Sequence, residues 1–239
     1  MRFDIITIFP EIFDSYLNES ILKRAQKNKL IDIKIHNLRD FTKDKHHKVD
    51  DRPFGGGPGM VMKVEPLIKA LSSILKSKIS VKGVKSKKSK IKVILFTPGG
   101  KQFDNKMAAR LAENYNQLIL ICGRYEGIDA RTEKIIKNSC LPVGMGKLKI
   151  ENLSIGPYVL TGGELPAMVL IDSVSRRIPG VLGKNESIEE KRQGIGVPVY
   201  TRPEEFVYPP AGGKKYLVPK ILLSGDHKKI EEWRKKRGR

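Results

Sequence analysis

The sequence predicts an α/β protein built on a mostly parallel sheet, and three observations carry that expectation. Apolar, β-rich runs of strand length alternate with stretches of helical period, as βα units require. Two of the runs, residues 3–9 and 117–122, are nearly continuous in apolar residues, as strands covered on both faces are. Gly-rich turns at residues 97–100, 123–127 and 161–163 follow apolar runs, and ligands of parallel sheets bind at the carboxyl ends of strands.

Residues 3–9 are the first strand. After Pro10, the positions of Ile12, Phe13, Tyr16, Leu17, Ile21 and Leu22 fit a helix. Residues 31–35 alternate apolar side chains with Asp32 and Lys34, which reads as a second strand. Residues 40–60 have no period and are rich in charge, Gly and Pro; loops of that length are usually functional or disordered. Residues 65–75 are helical. Residues 76–92 carry eight lysines and read either as a solvated connection or as an arm that attracts phosphates. Residues 92–96 form a strand ending in Thr97-Pro98-Gly99-Gly100, residues 104–113 a helix, and residues 117–122 a strand ending in Gly123-Arg124-Tyr125-Glu126-Gly127. Residues 129–137 look helical, and residues 140–152 read as a Gly-containing excursion.

The stretch 155–177 organises the chain. Tyr158, Val159 and Leu160 read as a short strand that breaks at Thr161-Gly162-Gly163, where backbone without side-chain bulk can approach a ligand. Thr161 and Glu164 have the spacing of a capping box, and Pro166 falls in the first helical turn. The helix then carries Leu165, Met168, Val169, Ile171 and Val174 and ends in Arg176 and Arg177, where positive charge suits the dipole. Locally this is either a pocket built from main chain or only a tight strand-to-helix turn.

After Pro179-Gly180 the character changes. Residues 183–196 read as a flexible linker between a large domain, 1–182, and a small one, 197–239, which closes with a helix from Asp226 and a basic tail.

The formal net charge of +20 and a pI near 9.9 point to a polyanionic partner, nucleic acid before membrane. No apolar run approaches membrane-span length, and the N-terminus lacks the pattern of a signal peptide. Cys122 and Cys140 make neither a disulfide framework nor a metal site, which fits a reducing cytoplasm. No P-loop is present, nor a Rossmann glycine fingerprint after the first strand. His46 and His47 lie near Asp44, Asp50 and Asp51, but adjacent histidines project apart and match no standard metal spacing, so no metal is expected. Cys122, at a strand end, reads as a small buried hydrophobe.

Five blocks carry a resemblance: Asp50-Asp51-Arg52-Pro53-Phe54-Gly55-Gly56-Gly57-Pro58-Gly59-Met60; Cys122-Gly123-Arg124-Tyr125-Glu126-Gly127-Ile128-Asp129; Ser154 through Ala167; Ile178-Pro179-Gly180-Val181-Leu182-Gly183; and Tyr200-Thr201-Arg202-Pro203. In sequence and order they resemble the bacterial tRNA (guanine-N1)-methyltransferases, over nearly the whole chain. The resemblance implies a SPOUT-type mostly parallel sheet with a deep C-terminal trefoil knot, plus a small mainly helical C-terminal domain. It implies S-adenosyl-L-methionine as methyl donor and a homodimer that completes each site. The substrate would be the tRNA anticodon stem-loop, methylated at N1 of the guanosine immediately 3′ of the anticodon, a modification that maintains the reading frame. The donor pocket it implies consists of Thr97, Pro98 and Gly100; Gly123, Tyr125 and Glu126; and Ile155, Gly156, Tyr158, Val159, Leu160, Gly162 and Gly163.

Arg176 matches the family's catalytic arginine. The family's general base is an aspartate from the linker, and this sequence has none there. An ungapped match puts Lys191 at that position with Glu190 beside it, so Glu190 is the expected base, with Glu189 and Glu186 as alternatives. Pro157 stands where relatives commonly carry an acid, and the small domain is shorter than usual. Two other readings remain open at this point: a SPOUT enzyme that methylates ribose 2′-OH, and a non-catalytic basic RNA-binding protein.

Overall fold

The computed structural model describes residues 1–76, 90–138, 148–183, 196–210 and 212–237. The chain divides into two compact units, Met1–Leu182 and Gly183–Arg239. Strands of the first unit are β1 (Arg2–Thr7), β2 (Asp32–Asn37), β3 (Asp50–Asp51), β4 (Val61–Met62), β5 (Ile91–Gln102), β6 (Gln117–Ile121) and β7 (Lys149–Ser154). Its helices are α1 (Asp14–Leu17), α2 (Ser20–Lys27), α3 (Val64–Lys76), α4 (Asn105–Asn114), α5 (Arg131–Lys137) and α6 (Glu164–Ser175). Five strands make one parallel sheet in the order β2-β1-β6-β5-β7, and β3 and β4 form a separate antiparallel pair.

The continuous apolar runs are buried on both faces because helices cover both. Phe3, Ile5, Ile94, Phe96, Leu118 and Leu120 pack against α1, α2, α4 and α6 through residues such as Leu17, Leu22, Leu111 and Leu170. The alternate residues Ile6, Val93, Leu95, Ile119 and Ile121 pack on the other side against Leu67, Leu71 and Ile74 of α3 and Ile136 of α5. The period-two alternation of a strand thus serves two cores.

Three elements differ from the sequence reading. The helix expected after Pro10 is broken into a 3-10 turn (Pro10–Phe13), α1 and α2, with Ser20, the first residue of α2, at a positive φ of 46°. The excursion expected at 140–152 contains β7, an edge strand of the main sheet; its charges obscured it, and Glu151 finds Lys92 of β5 at 2.7 Å. The strand expected at Tyr158–Leu160 is absent, since the ladder ends at Ser154 and Pro157 has no N–H with which to extend it.

A buried polar knot ties the middle of the sheet. The Asp4 carboxylate accepts from Arg2 Nη2 at 2.6 Å and Gln117 Nε2 at 2.7 Å, and lies 2.8 Å from His36 Nε2. Burial works to raise its pKa, but bonds from His36 and Arg2, the Arg2 charge and the Gln117 bond outweigh it and hold the carboxyl below its ordinary value. A depressed folded-state pKa gives stability that is full above the unfolded value near 3.9 and lost as pH falls through the folded one. Asp4→Ala, which removes the carboxylate that neutralises the buried Arg2 guanidinium, is expected to cost about 3–5 kcal/mol at neutral pH. The gap between variant and parent should narrow only below about pH 4. Urea midpoints measured along a pH series check both statements.

The second unit, described by itself, holds a hairpin of β8 (Glu205–Tyr208) and β9 (Lys214–Leu217), then α7 (Lys220–Leu223) and α8 (His227–Lys235). Asp226 caps α8 by accepting from the Lys229 N–H at 3.1 Å. The Tyr200 and Trp233 rings lie 6.3 Å apart, and the Arg237 guanidinium sits 4.5 Å over Trp233. The hairpin was not expected from the sequence.

Candidate active site

The three Gly-rich turns meet at one end of the parallel sheet. The first is an excursion within β5: pairing with β7 breaks after Phe96 and resumes at Lys101, so the strand does not end at residue 96 as expected. Pro98 cannot donate to a ladder, and the chain bows out around it. The second turn follows β6, and Arg124 forms an isolated antiparallel bridge to Gly162 of the third.

Between them lies a crevice of about 420 Å³. Thr97 and Pro98 line it from the first turn, and Gly123, Tyr125 and Glu126 from the second. Ile155, Tyr158, Val159, Leu160, Gly162 and Gly163 line it from the segment after β7. Gly100 and Gly156 are not part of the lining. Gly100 faces β7, where an added Cβ would stand 2.6 Å from Leu153 N. Gly156 closes a tight turn in which Ser154 Oγ donates to its carbonyl at 2.8 Å. Gly163 has a structural demand of its own: its N–H donates to Gly123 O at 2.9 Å, and a Cβ would fall 2.7 Å from Cys122 Cα. Only glycine lets these two backbones touch.

The capping box expected at Thr161 and Glu164 does not form. Gly163 is the N-cap of α6, with no side-chain cap bond, and the Glu164 carboxylate is 2% exposed. It accepts from Thr7 Oγ1 and from Arg124 Nε, both at 2.9 Å. Arg124 also donates to Thr161 O at 3.3 Å, and its guanidinium lies 4.7 Å over the Phe9 ring. One buried carboxylate therefore fastens the end of β1, the second turn and the third. Burial pushes the Cys122 thiol well up, with the Glu164 charge adding to the effect. That makes it an inert hydrophobe.

Several lining residues had no role in the sequence reading. Arg124 lies within the block 122–129, and nothing local marks it as the partner of a carboxylate forty residues on. Glu133 and Asn152 also line the crevice. Asn152 Nδ2 donates to Glu133 Oε1 at 2.9 Å, and bonds from Asn152 and Lys137 hold the Glu133 carboxyl below its ordinary value.

Arg176 is not among the lining residues. It is half-buried at the C-cap of α6, and the helical rise puts that end about 18 Å from Glu164. Glu190, Glu189 and Glu186 lie outside the described residues, as does most of the lysine-rich stretch 76–92. Among the described residues no group of three His, Cys, Asp or Glu could hold a metal ion. Asp44 instead accepts the backbone N–H groups of His46 and Lys48, a turn closed by its own side chain. No helix among the described residues is long and apolar enough to cross a membrane.

The chain matches, over residues 1–239, the family model described as tRNA (Guanine-1)-methyltransferase TrmD. A tRNA (guanine-N(1)-)-methyltransferase of Dictyoglomus turgidum is 48% identical over 239 residues, which is 99% of this chain and 84% of that protein. The enzymes of the same name from Carboxydothermus hydrogenoformans and Clostridioides difficile are each 46% identical, with 99% and 98% of this chain covered and 82% and 91% of theirs. Agreement at this level along nearly the whole of this chain, on a parallel α/β unit whose Gly-rich turns share one crevice, shows that the chain belongs to the tRNA (guanine-N1)-methyltransferase family.

Proposed function

We propose that the chain transfers the methyl group of S-adenosyl-L-methionine to N1 of the guanosine immediately 3′ of the tRNA anticodon, in the cytoplasm. The observation that carries the reading is the convergence of the three Gly-rich turns on one crevice in a member of this family. The lining suits that molecule. Main chain and apolar side chains such as Leu95, Ile128 and Leu160 can hold a nucleoside, and the carboxylates of Glu126 and Glu133 suit a cation. When bound, the group supplies an electrophilic methyl on positively charged sulfur.

The chain's own residues supply the rest. Guanine N1 carries a proton at neutral pH, so a base must take it, and negative charge grows on O6. Glu190 is the proposed base, with Glu189 and Glu186 as alternatives, on a linker at 183–196 that leads to a tRNA-binding module at 197–239. Arg176 is proposed to neutralise O6. A helix length separates it from the crevice of its own chain, so the proposal takes the arginine from a second copy. Leu165, Val169, Asp172 and Arg176 recur at helical spacing along α6, where Leu165 and Val169 are exposed. Tyr16 lies beside this stripe, with its hydroxyl donating to Asp172 at 2.8 Å, and is exposed together with Phe9 and Ile12. A two-fold interface on this face would bury that apolar surface and carry each Arg176 toward the other crevice. The trefoil knot belongs to the same proposal. The glycine contacts Gly100 to Leu153 and Gly163 to Cys122 support it by letting backbone pass close to backbone.

The test uses tRNA transcripts with guanosine or adenosine beside the anticodon. N1-methylguanosine is expected from the first and no product from the second. Ribose methylation at that nucleotide, or a chain that binds no S-adenosyl-L-methionine in calorimetry and transfers nothing, overturns the reading.

A further inference from the structure

We infer that one face of the β8–β9 hairpin is a stacking platform for unpaired nucleobases of the RNA substrate; the inference rests on the proposed function, from which it takes tRNA as that substrate. The pairing register sets Phe206 opposite Tyr216 and Tyr208 opposite Lys214. Side chains alternate between the faces of a strand, so Phe206, Tyr208, Lys214 and Tyr216 share one face. The other face holds Glu205, Val207, Lys215 and Leu217, with Lys215 Nζ 2.9 Å from Glu205 Oε1.

The aromatic face is open. Phe206, Tyr208 and Tyr216 are 56%, 62% and 54% exposed. The Phe206 and Tyr208 rings are within 11° of parallel with centroids 6.4 Å apart, and Lys214 Nζ stands 5.9 Å from the Tyr216 centroid. A two-stranded hairpin gains no core from rings turned to solvent on one side. Three rings with a lysine among them have the composition of a surface for single-stranded nucleic acid, where bases stack on the aromatics and cations follow the phosphates. Arg202 and Lys220 flank the hairpin in sequence, in a chain of net charge +20. A protein partner is the poorer fit, because Lys is depleted from protein interfaces and here it lies among the rings.

The test measures the dissociation constant of the full-length chain for a tRNA transcript by fluorescence anisotropy over a salt series. Tyr216→Leu and Phe206→Leu keep apolar bulk without a stacking face, and each is expected to weaken binding about fivefold or more. Tyr216→Phe and Phe206→Tyr are expected to bind as the parent does, which separates stacking from packing. Lys214→Gln should lower the slope of log affinity against log salt by about 0.7–0.9, whereas the Leu variants leave the slope alone. Affinity for S-adenosyl-L-methionine should be unchanged throughout. Leu variants that bind tRNA like a parent that methylates it would overturn the platform and leave the proposed function standing; a parent that binds no tRNA overturns both. Leu variants that change the sedimenting mass but not tRNA affinity would make the face a contact between copies of the chain, and the inference would be wrong.

Discussion

Glu164→Leu is expected to destabilise the first unit by about 3–5 kcal/mol, a large share of the stability of an ordinary domain. The size follows from what the carboxylate satisfies. It is the acceptor for Thr7 Oγ1 and Arg124 Nε at 2.9 Å each, almost wholly out of water, and its loss strands a guanidinium that is 18% exposed. Leucine cannot accept either bond, so the cost is that of leaving two polar groups without their acceptor rather than the worth of one bond. Glu164→Gln keeps an acceptor but no charge and should fall between leucine and the parent. A double-mutant cycle with Arg124→Gln should return a coupling of about 0.5–3 kcal/mol, as pairs in contact do. The same clamp holds the Thr161 carbonyl through Arg124 Nη1, so both Glu164 variants should also lose affinity for S-adenosyl-L-methionine under conditions where they remain folded. Urea titration followed by circular dichroism, with calorimetry for the ligand, measures the two effects. A leucine variant that keeps the parent's urea midpoint would show that the clamp contributes nothing.

Glu164 also marks a limit to what the sequence makes legible. Thr161 and Glu164 have the spacing of a capping box, but the carboxylate is taken by a threonine 157 residues away, which no local pattern contains. The strands β1 and β6 were legible because burial on both faces demands uninterrupted apolar residues. β7 was not, because an edge strand can leave Lys149 exposed and carry Glu151 where a neighbouring strand supplies Lys92 as its counter-charge. The crevice was legible because backbone contact requires glycine, and glycine is visible in a sequence: Gly163 against Cys122 is a constraint that any reader can suspect. The apolar triplet Tyr158-Val159-Leu160 was misread because the wall of a crevice and a buried strand select similar side chains. The hairpin β8–β9 escaped because Pro209 and Pro210, which break a ladder, lie at the mouth of its turn and read as loop.

Arg176→Ala is expected to lower methyl transfer by about 10²–10³-fold, the usual effect of removing a group that meets charge developing in the transition state. Its affinity for S-adenosyl-L-methionine should be unaltered, because the group proposed to meet Arg176 is O6 of the guanine and not the methyl donor, and Arg176 is not among the lining residues of the crevice. Leu160→Trp, which fills that crevice, is expected to abolish ligand binding and transfer together. The two variants become informative when they share the proposed dimer. Coexpressed with different tags and purified for both, a mixed dimer pairs the open crevice of the Arg176→Ala chain with the intact arginine of the Leu160→Trp chain. If each site is built across the two-fold, one site of the pair is whole, and about half the parent's activity should return. If each site is built within one chain, every site in the mixed dimer keeps one defect, and nothing returns. Recovery would also locate the contact, since substituting Leu165 and Val169 by Lys in both chains should then separate the copies and remove the recovered activity. A mixed dimer no more active than either variant alone would keep each site within one chain, whereas an Arg176→Ala chain as active as the parent would put Arg176 back among the surface residues of a helix end and leave O6 to another cation.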